Sequence, residues 1–264
     1  FRCGFLGLLH MDIIQERLER EFGLELVQTA PTVSFTATVR GKGGVEEHID
    51  VHNPADLPDA GSIVEISEPI CKLEVMLPKR YIGDVMKLCL DRRASFTSQM
   101  YVSDAREMLT FEIPLAELIY DFYDKLKGMT SGYATMDYEV IRYQTDNLVK
   151  VEILINGEPV PALSLITHRD KAEQRGRAVI AKLKKQIDRH QFEIPIQAAI
   201  GGKIIARETI KAYRKDVTAK CYGGDVTRKR KLMEKQKKGK ERMKSVGSVN
   251  IPQEAFMAVL DTGE

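Results

Sequence analysis

Long apolar runs are missing from this sequence of 264 residues. Nothing approaches the roughly 18 apolar residues in a row that a membrane-spanning helix requires, and the opening carries no signal-peptide pattern. A soluble globular chain is expected, and secretion is not. Cysteine is scarce: Cys3, Cys71, Cys89 and Cys221 lie far apart with no CxxC pair. Neither a disulfide framework nor a zinc-finger spacing is present, and a reducing compartment fits. No GxxxxGK[ST] phosphate loop occurs, because Gly41-Lys42-Gly43-Gly44 and Gly201-Gly202-Lys203 lack both the spacing and the following hydroxyl residue. No catalytic triad is visible, and no spacing among the many carboxylates singles out an acid–base pair. Catalysis therefore has no foothold.

Isolated candidates for chemistry have structural readings that fit better. His48 and His52 lie in a strand-like stretch followed by Asn-Pro, which favours surface histidines over a metal pair. Cys71 and Cys89 fall on the apolar faces of a predicted strand and helix, the placement of core fillers rather than nucleophiles. His168, in the run THRD, suits a helix start. The opening FRCGFLGLLH reads as the interior of a folded unit, so the expectation is that the chain belongs to a longer protein.

Charge is present, and it is unevenly placed. The formal total is +2, yet residues 1–202 hold 24 basic and 30 acidic side chains, and residues 203–244 hold 16 basic and 5 acidic. Thr227 to Lys244 alone carries ten basic and two acidic residues, with only Leu232, Met233 and Met243 as larger apolar side chains. That segment has too little apolar surface to form a core of its own.

At about 100 to 200 residues per domain the length suggests two domains and a further fragment. Met11, Ile14, Leu18 and Phe22 follow helical spacing up to Gly23. A β-branched stretch and two turn-rich runs follow, predicting a strand, a hairpin and a connector that ends near residue 66. Cys71, Leu73, Val75 and Leu77 alternate along a strand, and a helix is expected from about Tyr81 to Asp91, with Ile82, Val85, Met86 and Cys89 inward. A hairpin then turns at Ser103 to Arg106. Pro114 opens a second helix carrying Leu115, Leu118, Ile119, Phe122 and Leu126, before a strand with Ala134, Met136, Tyr138 and Val140 on one face. The order β-α-β-β-α-β is that of a ferredoxin-like domain. From residue 144 a second α+β unit is expected: a strand turning at Asn156-Gly157, a helix from Arg169 to Ile187 on an Ala172, Val179, Leu183, Ile187 seam, and strands around Gly201-Gly202.

The basic run is the one feature that demands a partner. Ten cations in eighteen residues repel one another and release counterions when laid against phosphates, so RNA is the natural ligand. A solvated helix with no ligand, or a membrane-surface helix, is the alternative, although the apolar face is thin for the latter. Candidate RNA contacts are Arg207, Lys211, Arg214, Lys215 and Lys220, then Tyr222 for stacking, then Arg228, Lys229, Arg230, Lys231, Lys235, Lys237, Lys238, Lys240, Arg242 and Lys244. Ordering of this tail on binding is expected, with Gly223-Gly224 as a hinge.

Four segments carry a family likeness: GFLGLLHMDIIQERLEREF, EPICKLEVMLPKRYIGDVM, LINGEPVPALSLITHRDKAEQRGR and AKCYGGDVTRKRKLMEKQKKGKERMK. Together they resemble the elongation factor 4 (LepA) family across essentially the whole chain. The first two also resemble elongation factor G, whose domain IV has no counterpart between residues 36 and 68. The resemblance implies an α+β chain in three parts. Residues 1–66 would be the end of another ferredoxin-like domain, domain III, with a connector. Residues 67–143 would be the ferredoxin-like domain V, and residues 144–264 a family-specific C-terminal domain with the basic RNA-binding tail.

It further implies a translational GTPase that promotes one-codon back-translocation of tRNAs, with the 70S ribosome, ribosomal RNA and A-site tRNA as partners and no DNA. GTP and Mg2+ would belong to a G domain that this sequence lacks, so no cofactor and no catalysis are expected in this chain. By analogy, Arg80, Tyr81, Arg92 and Arg93 of domain V would dock on the ribosome. A monomer is implied, cytoplasmic or peripheral on the inner face of the cell membrane. The competing classes are an RNA-directed enzyme of elongation-factor ancestry and a protein-interaction or ribosome-assembly scaffold with a solubilising tail.

Overall fold

The computed structural model describes residues 3, 8–24, 26, 33–41, 45–58, 61–119, 121–219, 221, 225–247, 249–252 and 255–256. Helix α1 (Leu8–Phe22) lies where the apolar spacing puts it. Gly23 ends it at φ +63, with its N–H returning 3.0 Å to the Glu19 carbonyl, a left-handed stop that glycine adopts without a Cβ penalty.

Strands β1 (Phe35–Arg40) and β2 (Glu46–Val51) form the expected hairpin. It does not stand apart as a separate connector unit. Strand β3 (Ile63–Pro78) runs unbroken through residue 66, pairing with β1 at its start. Val33, Phe35, Ala37 and Val51 bury their apolar surface together with Ile66, Leu148 and Ile166, so the core continues across the expected boundary.

The ferredoxin-like unit follows: β3, α2 (Ile82–Asp91), β4 (Ser95–Ser103), β5 (Arg106–Pro114), α3 (Phe122–Met129) and β6 (Thr135–Asp146). Its antiparallel sheet runs β6-β3-β5-β4. Cys71, Leu73, Val75 and Leu77 are fully buried against Leu109, Phe111 and Ile113 of β5, Val85 and Cys89 of α2, and Phe122 and Leu126 of α3. Burial pushes the Cys89 thiol up to about 12 and the Cys71 thiol up as well, leaving both as core fillers.

Two expectations about this unit are corrected. The helix predicted from Pro114 is broken into a 3-10 turn (Leu115–Glu117) and α3, because Glu117 and Asp121 between them are held by ion pairs described below. Tyr138 and Val140, placed on the inner face of β6, are half exposed. Among the described residues that strand pairs only with β3, so it is an edge that the two short helices leave uncovered.

A second sheet, β11-β10-β7 with β8 and β9 beside β7, is built from β7 (Leu148–Ile155), β8 (Glu158–Pro159), β9 (Leu165–His168), β10 (Ile194–Ile200) and β11 (Lys203–Ile210). Asn156 at φ +56 and Gly157 at φ +91 make the tight β7–β8 turn. Helix α4 (Arg169–Gln186) covers the sheet with Ala172, Gly176, Ile180 and Leu183. Gly176 and Ile180 join the expected seam, and Val179 packs half buried against the same core. His168 caps this helix, its Nδ1 accepting from the Asp170 N–H at 3.3 Å, and its Nε2 lies 3.4 Å from Asp146.

The basic run is helix α5 (Val226–Val246). Asp225 caps it, its carboxylate accepting the Arg228 N–H at 2.9 Å. After Gly247, Val249, Ile251, Ala255 and Phe256 rest on the core of the second unit. The segment expected to order only on binding is thus already helical, because a cap at one end and an apolar anchor beyond the other hold it.

Candidate nucleic-acid interface

Helix α5 is fastened to the second unit along one side. Lys229, Leu232, Gln236, Gly239 and Lys240 are half buried. The Gln236 side chain donates to the Lys215 carbonyl at 2.8 Å, and the Lys240 ammonium donates to the carbonyls of Gln191 (2.6 Å) and Tyr213. Lys240, expected as an RNA contact, is therefore occupied as an anchor. A Cβ on Gly247 would run into the Phe192 ring and the Met243 carbonyl, so the helix end closes on the body where glycine leaves room.

Of the other expected contacts, Arg228, Arg230, Lys231, Lys235, Lys237, Lys238 and Arg242 are exposed, and Lys244 is half buried. Arg207 on β11 and Lys211, Arg214 and Lys215 beyond it are exposed too. Lys220, Tyr222 and the Gly223-Gly224 hinge lie outside the described residues. The fold places the carbonyls of Tyr213 and Lys215 under α5, which brings the 211–215 cations beside the helix. Two exposed pairs, Arg230–Glu234 at 3.3 Å and Lys237–Glu241 at 4.0 Å, neutralise part of the charge.

The ferredoxin-like unit divides its four expected contacts into two kinds. Arg80 is exposed, its guanidinium 4.6 Å from the Tyr81 ring centre and 5.6 Å from that of Tyr133. Lys79 lies over Tyr101 and Lys127 over Tyr123, so aromatic and cationic side chains gather around Arg80 and Tyr81. Sequence reading missed Tyr133, Tyr123 and Tyr101, since no spacing links them to Arg80.

Arg92 and Arg93, by contrast, point inward and are withdrawn from any docking role. Their side chains are 15% and 16% exposed. Arg93 sits at φ +61, a backbone conformation that an arginine keeps only when its surroundings over-determine it. Its guanidinium grips the buried Glu68 at 2.7 and 3.1 Å, Glu117 at 3.2 Å and Asp146 at 3.1 Å. Glu117 also receives Arg175 of α4 at 2.8 Å, and Lys171 donates to the Asp91 carbonyl. Burial pushes the Glu68 carboxyl up despite Arg93, and it pushes the Lys171 ammonium down. This network ties the ferredoxin-like unit to α4 of the second unit.

Asp121, at the edge of the network, yields a pH prediction. Burial would push its carboxyl up, but hydrogen bonds from Lys125 and Arg92 overcome that and hold it below its ordinary 3.8. A carboxylate with a depressed folded value stabilises the fold above its ordinary value and loses that contribution as pH falls through the lowered one. Asp121→Asn should therefore cost stability at neutral pH and cost little at strongly acidic pH. Urea denaturation at both pH values checks this, and an equal loss at both would refute it.

The glycine turns lack a phosphate-loop spacing, and the described residues hold no cluster of three His, Cys, Asp or Glu side chains suited to a metal ion. His48 and His52 instead share hydrogen bonds with Thr38 (3.0 Å) and Ser34 (3.1 Å).

Comparison with known proteins divides the chain near the end of β7, one strand into the second sheet. Residues 65–154 match the family model "Elongation factor G C-terminus", and residues 155–261 match "GTP-binding protein LepA C-terminus". Proteins named elongation factor 4 from Bacillus cytotoxicus and Geobacillus thermodenitrificans are each 58% identical over 98% of this chain and 42% of their own length. The namesake from Symbiobacterium thermophilum is 56% identical over 99% of this chain and 43% of its own length. The chain thus spans about two fifths of the length of these curated relatives.

Proposed function

The chain belongs to the elongation factor 4 (LepA) family, corresponding to the C-terminal part of a translation factor, and on that premise we propose that it is the factor's ribosome- and tRNA-binding portion. The whole protein, in this reading, is a cytoplasmic GTPase that uses GTP and Mg2+ in a G domain outside this sequence to promote one-codon back-translocation of tRNAs. The observation that carries the reading is α5, a capped helix with ten basic and two acidic residues held against a folded body. A rigid cationic rod gains affinity from counterion release wherever phosphates are dense, and ribosomal RNA and tRNA supply them.

The Arg80, Tyr81 and Tyr133 cluster supports a second contact with RNA, because the exposed Tyr133 ring beside Arg80 and the half-buried Tyr81 suits stacking on an unpaired base. Arg207, Lys211, Arg214 and Lys215 extend the phosphate-binding surface beside α5. Among the described residues no helix is long and apolar enough to cross a membrane.

Co-sedimentation with 70S ribosomes over a salt series, using the intact chain and a form truncated after Cys221, tests the proposal. Truncation is expected to abolish most binding and the footprint on A-site tRNA. Undiminished binding by the truncated form would overturn the role of α5 and favour a scaffold whose helix is a solubilising extension.

A further inference from the structure

Nine of the ten basic residues of α5 fall into three lengthwise rows, with the half-buried Lys244 near the helix end outside them. One row faces the body: Lys229 and Lys240 lie with Leu232 and Gln236 on the half-buried side, and the Lys240 ammonium is spent on two main-chain carbonyls. A second row neutralises itself through Arg230–Glu234 and Lys237–Glu241. The third row is Arg228, Lys231, Lys235, Lys238 and Arg242, all exposed. Among the described residues none of these five meets a carboxylate.

Steps of three, four, three and four residues keep the five on one side of the helix. At 1.5 Å per residue they form a straight row about 21 Å long, with a cation roughly every 5 Å. The row cannot roll away from this facing without breaking the Gln236 and Lys240 anchors, which lie about a third of a turn away around the helix.

We infer that this single row is the RNA-reading face of α5 and that its ligand is the phosphate backbone of double-helical RNA; the inference rests on the RNA-binding role proposed above and assigns it a face and a ligand. A straight, rigid line of cations matches a backbone that is itself stiff and regular. Recognition of single strands relies on aromatic platforms for the bases, and α5 contains no aromatic residue. Long arginine and lysine side chains reach phosphates without reading base edges, so binding should depend on helical form and not on sequence.

The test titrates the intact chain against a short blunt RNA duplex and against a single-stranded oligouridylate with the same number of phosphates, across a salt series. On the duplex, the five phosphates neutralised by the row contribute about −4 to −5 to the log–log slope, and loss of row charge weakens the duplex more than the single strand. Two variants remove equal charge: Lys235→Gln/Lys238→Gln from the exposed row, and Arg230→Gln/Lys237→Gln from the self-paired row. The first should lower the slope by about 2, the second by well under 1, with circular dichroism showing that both keep their helix. Equal effects of the two variants would overturn the row, leaving α5 as a diffuse polycation. An equal or larger loss of slope on the single strand than on the duplex in Lys235→Gln/Lys238→Gln would overturn the duplex assignment. No binding of either RNA by the unaltered chain at low salt would sink the inference together with the RNA-binding reading beneath it.

Discussion

Replacing Glu117 with alanine is expected to cost the fold about 3 kcal/mol, the lower end of the range for breaking a buried ion pair. Its side chain is 1% exposed and lies against three cations: Arg93 at 3.2 Å, Arg175 at 2.8 Å and Lys171 at 4.0 Å. Removal leaves those cations facing one another with only Glu68 and Asp146 to answer Arg93. The lower end applies because Arg175 and Lys171 are each 27% exposed, so water takes up part of the stranded charge.

Glu117→Gln keeps the volume and some of the hydrogen bonds, so its loss should be smaller but measurable. The location adds a second signature. Glu117 belongs to the ferredoxin-like unit and Arg175 to α4, so the variant loosens the joint between units as well as the core beneath it. Urea denaturation followed by two probes, one per unit, should show one shared transition in the unaltered chain and separated midpoints in Glu117→Ala. A loss below about 1 kcal/mol with coincident midpoints would refute the buried-joint account.

The joint also marks where sequence reading stops. Period-two alternation at Cys71, Leu73, Val75 and Leu77, and the turn at Asn156-Gly157, were legible because burial of one sheet face and φ > 0 in a tight turn each impose a local pattern. Helix α5 was legible as charge, since a run of like charges needs no partner to be noticed. Its sorting into rows was not, because which side of a helix meets the body depends on the carbonyls of Gln191, Tyr213 and Lys215, distant in sequence from α5. Arg92 and Arg93 failed for the same reason. Two adjacent arginines after a helix look like surface charge until Glu68, Glu117 and Asp146, from three other segments, are brought around them. The break at Glu117 follows from this too, since apolar spacing from Leu115 to Leu126 is helical and carries no sign of an acid anchored by other elements. The unbroken path of β3 through residue 66 was hidden by the turn formers just before it, which mark a bend in the chain and not the limit of a core.

Gly176→Val is expected to destabilise the second unit by roughly 2 to 3 kcal/mol, and the reasoning isolates one contact. A Cβ at position 176 would stand 2.9 Å from the Cβ of Ala198 on β10, with Ile205 at 3.4 Å and Val151 at 3.7 Å beyond it. Real Cβ atoms do not approach that closely, and the opposing methyl is fixed to a strand, so α4 must lift from the sheet. Lifting it opens gaps around Ile180 and Leu183, which are fully buried. Valine adds two further methyls to the same gap. Gly176→Ala should fall well short of that cost, because alanine recovers about 1 kcal/mol of helix propensity against the same clash. Combining Gly176→Ala with Ala198→Gly removes the opposing methyl, so the pair should be more stable than the sum of the single effects predicts. Thermal and urea denaturation of the four proteins measures that coupling. Strict additivity, or a Gly176→Val protein as stable as the unaltered chain, would mean that α4 does not sit on the sheet as closely as this glycine allows.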